Sequence, residues 1–192
     1  DKADEAGFIL AYPHGSGRER NRGLSVNGGN CCGYAKCNNV DDIGYTRALL
    51  DDLGTVADID PARVYATGFS NGAIMAHRVA AELSDRIAAI ATVGGPLMLD
   101  DLSPENPVSI LHIHGTSDPF APYDGGRGNG TERMPAALRP VFTSTAQTVA
   151  AWRRVNGCDE HTVSEQLPDI ADDGMRATRQ IWANDQTGVE VA

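Results

Sequence analysis

The stretch ATGFSNGAIMA, Ala66 to Ala76, decides how this chain is read. The residues leading into it, RVYATG, are β-branched and aromatic, as a strand requires. Beyond Ser70 the larger side chains Ile74, His77, Val79 and Leu83 recur at helical spacing, with Ala73, Ala76 and Ala80 as small packing positions. Gly68-Phe69-Ser70-Asn71-Gly72 therefore places a G-x-S-x-G match between a strand and a helix. A serine on such a corner is exposed, and flanking glycines let the backbone fold close. Ser70 is predicted to be a nucleophile, with the backbone N–H of Asn71 at the helix start facing a developing oxyanion. The plainer alternative is a tight strand–helix turn capped by serine. A serine hydroxyl is a weak nucleophile at neutral pH and needs a base beside it.

Working outward, GFILAYP (Gly7–Pro13) is a continuous apolar run expected to be a strand buried on both faces. A polar, glycine-rich loop follows to about Asn39. VDDIGYTRALLDDLGTV predicts a helix capped by Asp41 or Asp42, with Ile43, Leu50, Leu53 and Ala57 on one side. RIAAIATVGG and VSILHIHG predict two more buried strands, and STAQTVAAWRRV a helix with Ala146, Val149, Trp152 and Val155 inward. The last residues, from Met175, alternate like two strands around a turn. Strands alternating with helices predict a single α/β domain over 1–192: a mostly parallel sheet with helices on both faces. Such sheets carry their sites at the carboxyl ends of strands.

The 192 residues carry 16 Lys and Arg against 26 Asp and Glu, a net charge of −10. That balance argues against a nucleic-acid partner, which wants a basic patch. No apolar run approaches the roughly 20 residues of a membrane span. The histidines and cysteines show no metal spacing, so neither metal nor cofactor is expected. Cys31, Cys32 and Cys37 crowd into a Gly/Asn-rich loop. A disulfide from Cys37 to Cys31 or Cys32 is expected there, implying an oxidising compartment; free thiols are the alternative.

A second site lies in HGTSDPFAPY, where a strand ends at His114 and Asp118 follows in the loop. A carboxylate there can orient a histidine and stabilise its imidazolium. Its place after the serine fits the chain order Ser, Asp, His. The alternative is an Asp-Pro turn residue. The base is harder to find. His14 precedes the serine, His77 lies within the helix after it, and His112 and His114 alternate on a strand. His161, the one histidine after Asp118, stands at what reads as a helix exit.

Five blocks carry a resemblance: GFILAYPHG, CCGYAKCNNVDDIGYTRALLDDL, DIDPARVYATGFSNGAIMAHRVAAELSDRIAAIATVGG, ILHIHGTSDPFAPYDGG and VAAWRRVNGC. Together they resemble the secreted polyhydroxybutyrate-depolymerase and feruloyl-esterase group of α/β-hydrolases. The resemblance implies a secreted serine esterase with Ser70 as nucleophile, Asp118 as triad acid and Asn71 as oxyanion donor. It implies polyester or esterified-polysaccharide substrates. Members of the group carry an oxyanion loop upstream of such a chain and the catalytic histidine downstream. The chain is therefore expected to be an internal piece, with its base beyond Ala192 and little activity alone. Relatives also place a cysteine partner for Cys158 before the final strand, where this chain has WANDQTG. The group's strand order predicts a gap between GFILAYP and RVYATG, and poor solubility of these residues by themselves. The segment Tyr123–Ser144 is expected to overhang the site. A peptidase or acyltransferase on the same fold, or a non-catalytic binding domain, remains the alternative.

Overall fold

The computed structural model describes residues 2–132, 139–158 and 160–192, and not the side chains of 160–162. A short helix α1 (Lys2–Ala6) and a long irregular segment precede helix α2 (Gly33–Cys37). Helix α3 (Asp42–Val56) starts where Asp41 accepts the Gly44 N–H, the expected cap. Asp42 turns inward instead, and its carboxylate accepts the Asn27 N–H at 2.6 Å. Strand β1 (Tyr65–Phe69) leads through Ser70 into helix α4 (Asn71–Glu82). Strands β2 (Ala89–Val93) and β3 (Ser109–Ile113) follow, then helix α5 (Thr145–Asn156). Ser144 and Gln147 form a capping box at the start of α5, and left-handed Gly157 ends it. Strands β4 (Glu160–Leu167), β5 (Ala177–Asn184) and β6 (Val189–Val191) complete the order.

The six strands form one sheet in the order β1-β2-β3-β6-β5-β4. β1, β2, β3 and β6 run parallel, while β4 and β5 add an antiparallel hairpin edge. Ala66, Ile90 and Ile110 lie side by side and face the core, as do Gly68, Thr92 and His112 two residues on. The core on that face gathers Met75, Val79 and Leu83 of α4, Trp152 of α5, and Ile90, Ile110 and Val191 of the sheet. Ile43 and Leu50 of α3 pack at its margin. Trp152, Val149 and Val155 are inward as expected, whereas Ala146 is exposed and Thr148 and Asn156 are also buried.

Three expectations need correction. GFILAYP forms no strand: Phe8, Ile9, Leu10 and Tyr12 are exposed, and β1 pairs only with β2 among the described residues. A ladder needs a neighbour, and this segment's backbone finds none. No ladder joins Ile9–Tyr12 to Val64–Thr67. Helices α4 and α5 pack together on the face that carries Ile90 and Ile110. The other face carries Tyr65, Phe69, Leu111 and Ile113 exposed, and no helix is described between β2 and β3. The expected helix exit at His161 is the start of β4, whose polar sequence suits an exposed edge. Finally, the expected bridge from Cys37 to Cys31 or Cys32 is not formed: Cys37 is a free thiol, and Cys31 and Cys32 face each other instead. Cys31 is buried against Ile74 and Met98, whereas α2 carries Cys37 out to solvent.

Candidate active site

The strand register sets the geometry. Phe69, Val93 and Ile113 are paired across β1, β2 and β3. The chain therefore leaves three adjacent parallel strands at Ser70, Gly94 and His114, all at the carboxyl edge.

Ser70 is exposed and holds φ 53° and ψ −118°, a left-handed conformation that few non-glycine residues adopt. Its N–H donates to the Val93 carbonyl at 2.8 Å, tying the corner to β2. Its carbonyl accepts the Ile74 N–H at 3.1 Å and begins α4. The close packing explains two glycines. A Cβ on Gly68 would lie 2.2 Å from the Gly72 backbone, and one on Gly95 would lie 2.3 Å from the Ser70 carbonyl oxygen. Gly72, the last glycine of the motif, has open space where a Cβ would go.

Asn71 sits in the first turn of α4, where backbone N–H groups have no intrahelical acceptor. Its side chain is engaged elsewhere: Oδ1 accepts the Val26 N–H at 2.8 Å and Nδ2 donates to the Val26 carbonyl at 2.9 Å. Arg78, two turns along, donates to the Asn27 carbonyl. The 25–30 loop is thus fastened to the helix that carries the serine. The sequence held no sign of this clasp, which links residues 45 positions apart.

Asp118 lies in the turn after β3. Its Oδ1 accepts the N–H groups of Phe120 at 2.8 Å and Ala121 at 3.0 Å. Its Oδ2 is left to face Gly94, whose Cβ would sit 3.6 Å from it and 3.5 Å from the Phe69 ring. Gly94 and Gly95 therefore bridge the Asp118 carboxylate and the Ser70 corner. Pairing one carboxylate oxygen to backbone while leaving the other open is what holding an imidazole requires.

The histidines divide sharply. His77, His112 and His114 form a buried file, with ring centroids 5.5 and 5.4 Å apart, running from Trp152 toward Tyr123. His77 Nδ1 accepts the Trp152 indole N–H at 3.0 Å. Burial, with His112 beside it, pushes His77 down to about 3, and burial beside His114 pushes His112 down to about 4. His112 Nδ1 bonds the Thr92 hydroxyl at 2.9 Å. His114 Nε2 bonds the Ala121 carbonyl at 2.7 Å. All three are fixed core groups without the open face a general base needs. The alternation of His112 on β3 with His114 just past its end was the legible part of this file. His14 is exposed and lines a surface cleft with Glu19, Arg20 and Leu24. The side chain of His161 lies outside the described residues, as do 133–138 of the segment expected to overhang the site.

A family profile described as Phospholipase/Carboxylesterase matches residues 42–130, the stretch from α3 through the Asp118 turn. Among curated proteins, NocK of Nocardia uniformis subsp. tsuyamanensis, named as an esterase, is 37% identical over 78% of this chain and 45% of its own length. Feruloyl esterase B of Piromyces equi is 30% identical over 79% of the chain and 27% of its length. The bifunctional acetylxylan esterase/xylanase of Neocallimastix patriciarum is 29% identical over 66% and 17%. The chain spans less than half the length of these relatives. The parallel strands, the serine corner and these matches agree: the chain has the α/β-hydrolase fold and is similar to proteins of that superfamily named as esterases.

Proposed function

We propose that the protein is a secreted serine hydrolase of carboxylic esters, with these residues supplying its nucleophile, acid and part of its oxyanion hole. Ser70 Oγ attacks the ester carbonyl as a histidine takes its proton. The Asn71 N–H stabilises the tetrahedral oxyanion. Collapse expels the alcohol, which takes the proton back from the histidine, and water then hydrolyses the acyl-enzyme by the same steps. Asp118, through Oδ2, orients that histidine. The histidine is assigned to a part of the protein outside these residues: His77, His112 and His114 are bound into the core, His14 lines a surface cleft that Ser70 and Asp118 do not share, and His161 stands on β4 at the sheet edge opposite β1. The observation that carries the reading is Ser70 at φ 53° on the strand–helix corner, bridged by Gly94 and Gly95 to an open carboxylate oxygen. The names of the relatives support feruloylated or acetylated polysaccharide as substrate class, and the sequence resemblance adds polyhydroxyalkanoates.

The test uses the complete gene product. A fluorophosphonate probe should label it, and Ser70→Ala should abolish both labelling and hydrolysis of p-nitrophenyl acetate. Methyl ferulate, acetylated xylan and a polyhydroxybutyrate film then rank the substrates. Undiminished labelling in Ser70→Ala overturns the nucleophile, and cleavage of amides in preference to esters overturns the reaction class.

A further inference from the structure

Resting on the serine-esterase reading of the site, we infer that His114 is a positioning residue for Asp118. His114 is the last member of the buried file, and its side chain is only 1% exposed. Its Nε2 donates to the Ala121 carbonyl at 2.7 Å. The N–H of that same Ala121 holds Asp118 Oδ1 at 3.0 Å. One residue of the turn is thus gripped from both sides, by the imidazole at its carbonyl and by the carboxylate at its amide. The donor nitrogen also lies 3.8 Å from Asp118 Oδ2, too long for a hydrogen bond and close enough to fix where that oxygen stands.

The ring itself cannot drift. His112 packs on one side at 5.4 Å between centroids and Tyr123 lies edge-on at 6.2 Å. Nε2 donates to the Ala121 carbonyl, and the buried Nδ1 has no hydrogen-bond partner among the described residues. A histidine kept in the core with one nitrogen unsatisfied is costly as packing alone. The groups facing His114 are Asp118 from its own turn, His112 from β3 and Tyr123 from the following loop. Ordinary packing would be met by leucine. Holding the turn that aims a carboxylate needs a donor at the ε position.

The experiment compares His114→Ala, His114→Asn and His114→Gln in the complete gene product, with active sites counted by fluorophosphonate. Glutamine can place an N–H where Nε2 stands, and asparagine is too short to reach. Misplacing a catalytic group by about 1 Å costs on the order of 10²-fold, so His114→Ala and His114→Asn should lose roughly that in kcat with KM little changed. His114→Gln should stay within about 5-fold of wild type, its donor being kept. The pH profile separates positioning from mere stability. A misaligned carboxylate stabilises the catalytic imidazolium less, so the acid limb of kcat/KM should move to lower pH in the alanine and asparagine variants. If His114→Ala yields no folded protein, the asparagine and glutamine pair decides. Wild-type kcat and an unmoved acid limb in His114→Asn, per active site, would overturn the inference. Ser70→Ala and Asp118→Ala are run alongside: activity surviving in those two overturns the reading of the site itself.

Discussion

The two glycines of Gly-Phe-Ser-Asn-Gly look equivalent in sequence and are not equivalent in space. A methyl group on Gly68 would meet the Gly72 carbonyl carbon and oxygen at 2.2 Å and the Ala73 nitrogen at 2.6 Å. These are backbone atoms of the first turn of α4, so no side chain can swing aside. Ordinary contact begins near 3.4 Å, so Gly68→Ala must push the start of α4 away from β1 by about 1 Å. That turn carries Ser70 and the Asn71 N–H. Overpacking of this kind costs about 1–3 kcal/mol in stability, which lowers Tm by roughly 3–10 °C in a chain of this size. A shift of about 1 Å in the reacting groups costs on the order of 10²-fold in kcat/KM. Gly72→Ala meets open space and removes a helical glycine, so it should melt no lower than wild type and gain up to about 1 kcal/mol. Thermal melts of both variants, with p-nitrophenyl acetate turnover for Gly68→Ala, check the pair. A Gly68→Ala protein with wild-type melting and turnover would refute the reasoning, as would a Gly72→Ala protein destabilised to the same degree.

Two further outcomes follow from the side chains around the corner. Asn71→Ala keeps its backbone N–H but orphans the Val26 N–H and C=O, costing about 2 kcal/mol; a melt lowered by roughly 4–8 °C is expected, and an unchanged melt refutes the clasp. The buried His77 and His112 set an acid limit. Both are depressed below the ordinary 6.5, so their neutral forms contribute stability that is full above pH 6.5 and is lost as pH falls toward about 4 and 3. Near pH 5 these two sites bind about two more protons in the unfolded chain than in the folded one, contributing a slope of about 2–3 kcal/mol per pH unit. Urea unfolding across that range measures the slope, and a flat profile between pH 6.5 and 5 would exclude neutral burial.

The legible parts of the molecule were those written in local pattern. The serine corner, the Asp41 cap, the Trp152 face of α5 and the Asp118 turn each declare themselves within a few residues. The parts that were not legible depend on neighbours far along the chain. GFILAYP has the composition of a buried strand, but burial is a property of what lies beside it, and here its side chains meet solvent. The β4 strand is polar because it is an edge, and polarity reads as loop. The histidine file gathers positions 77, 112 and 114 from two elements, and only the period-two spacing of the last two hinted at it. Cys37 lies close to Cys31 and Cys32 in sequence, but α2 carries it out to solvent.

The backbone of Ser70 carries a trade between endurance and chemistry. A serine held at φ 53° and ψ −118° stores on the order of 1–3 kcal/mol that the unfolded chain does not. Glycine at this position would release most of it, giving a protein that outlasts the original in heat while hydrolysing nothing. Selection for thermal survival alone would therefore erode this residue early, whereas selection for turnover must hold it against that gradient. Directed evolution of a hardier variant should be screened on activity at every round, with gains sought away from the corner.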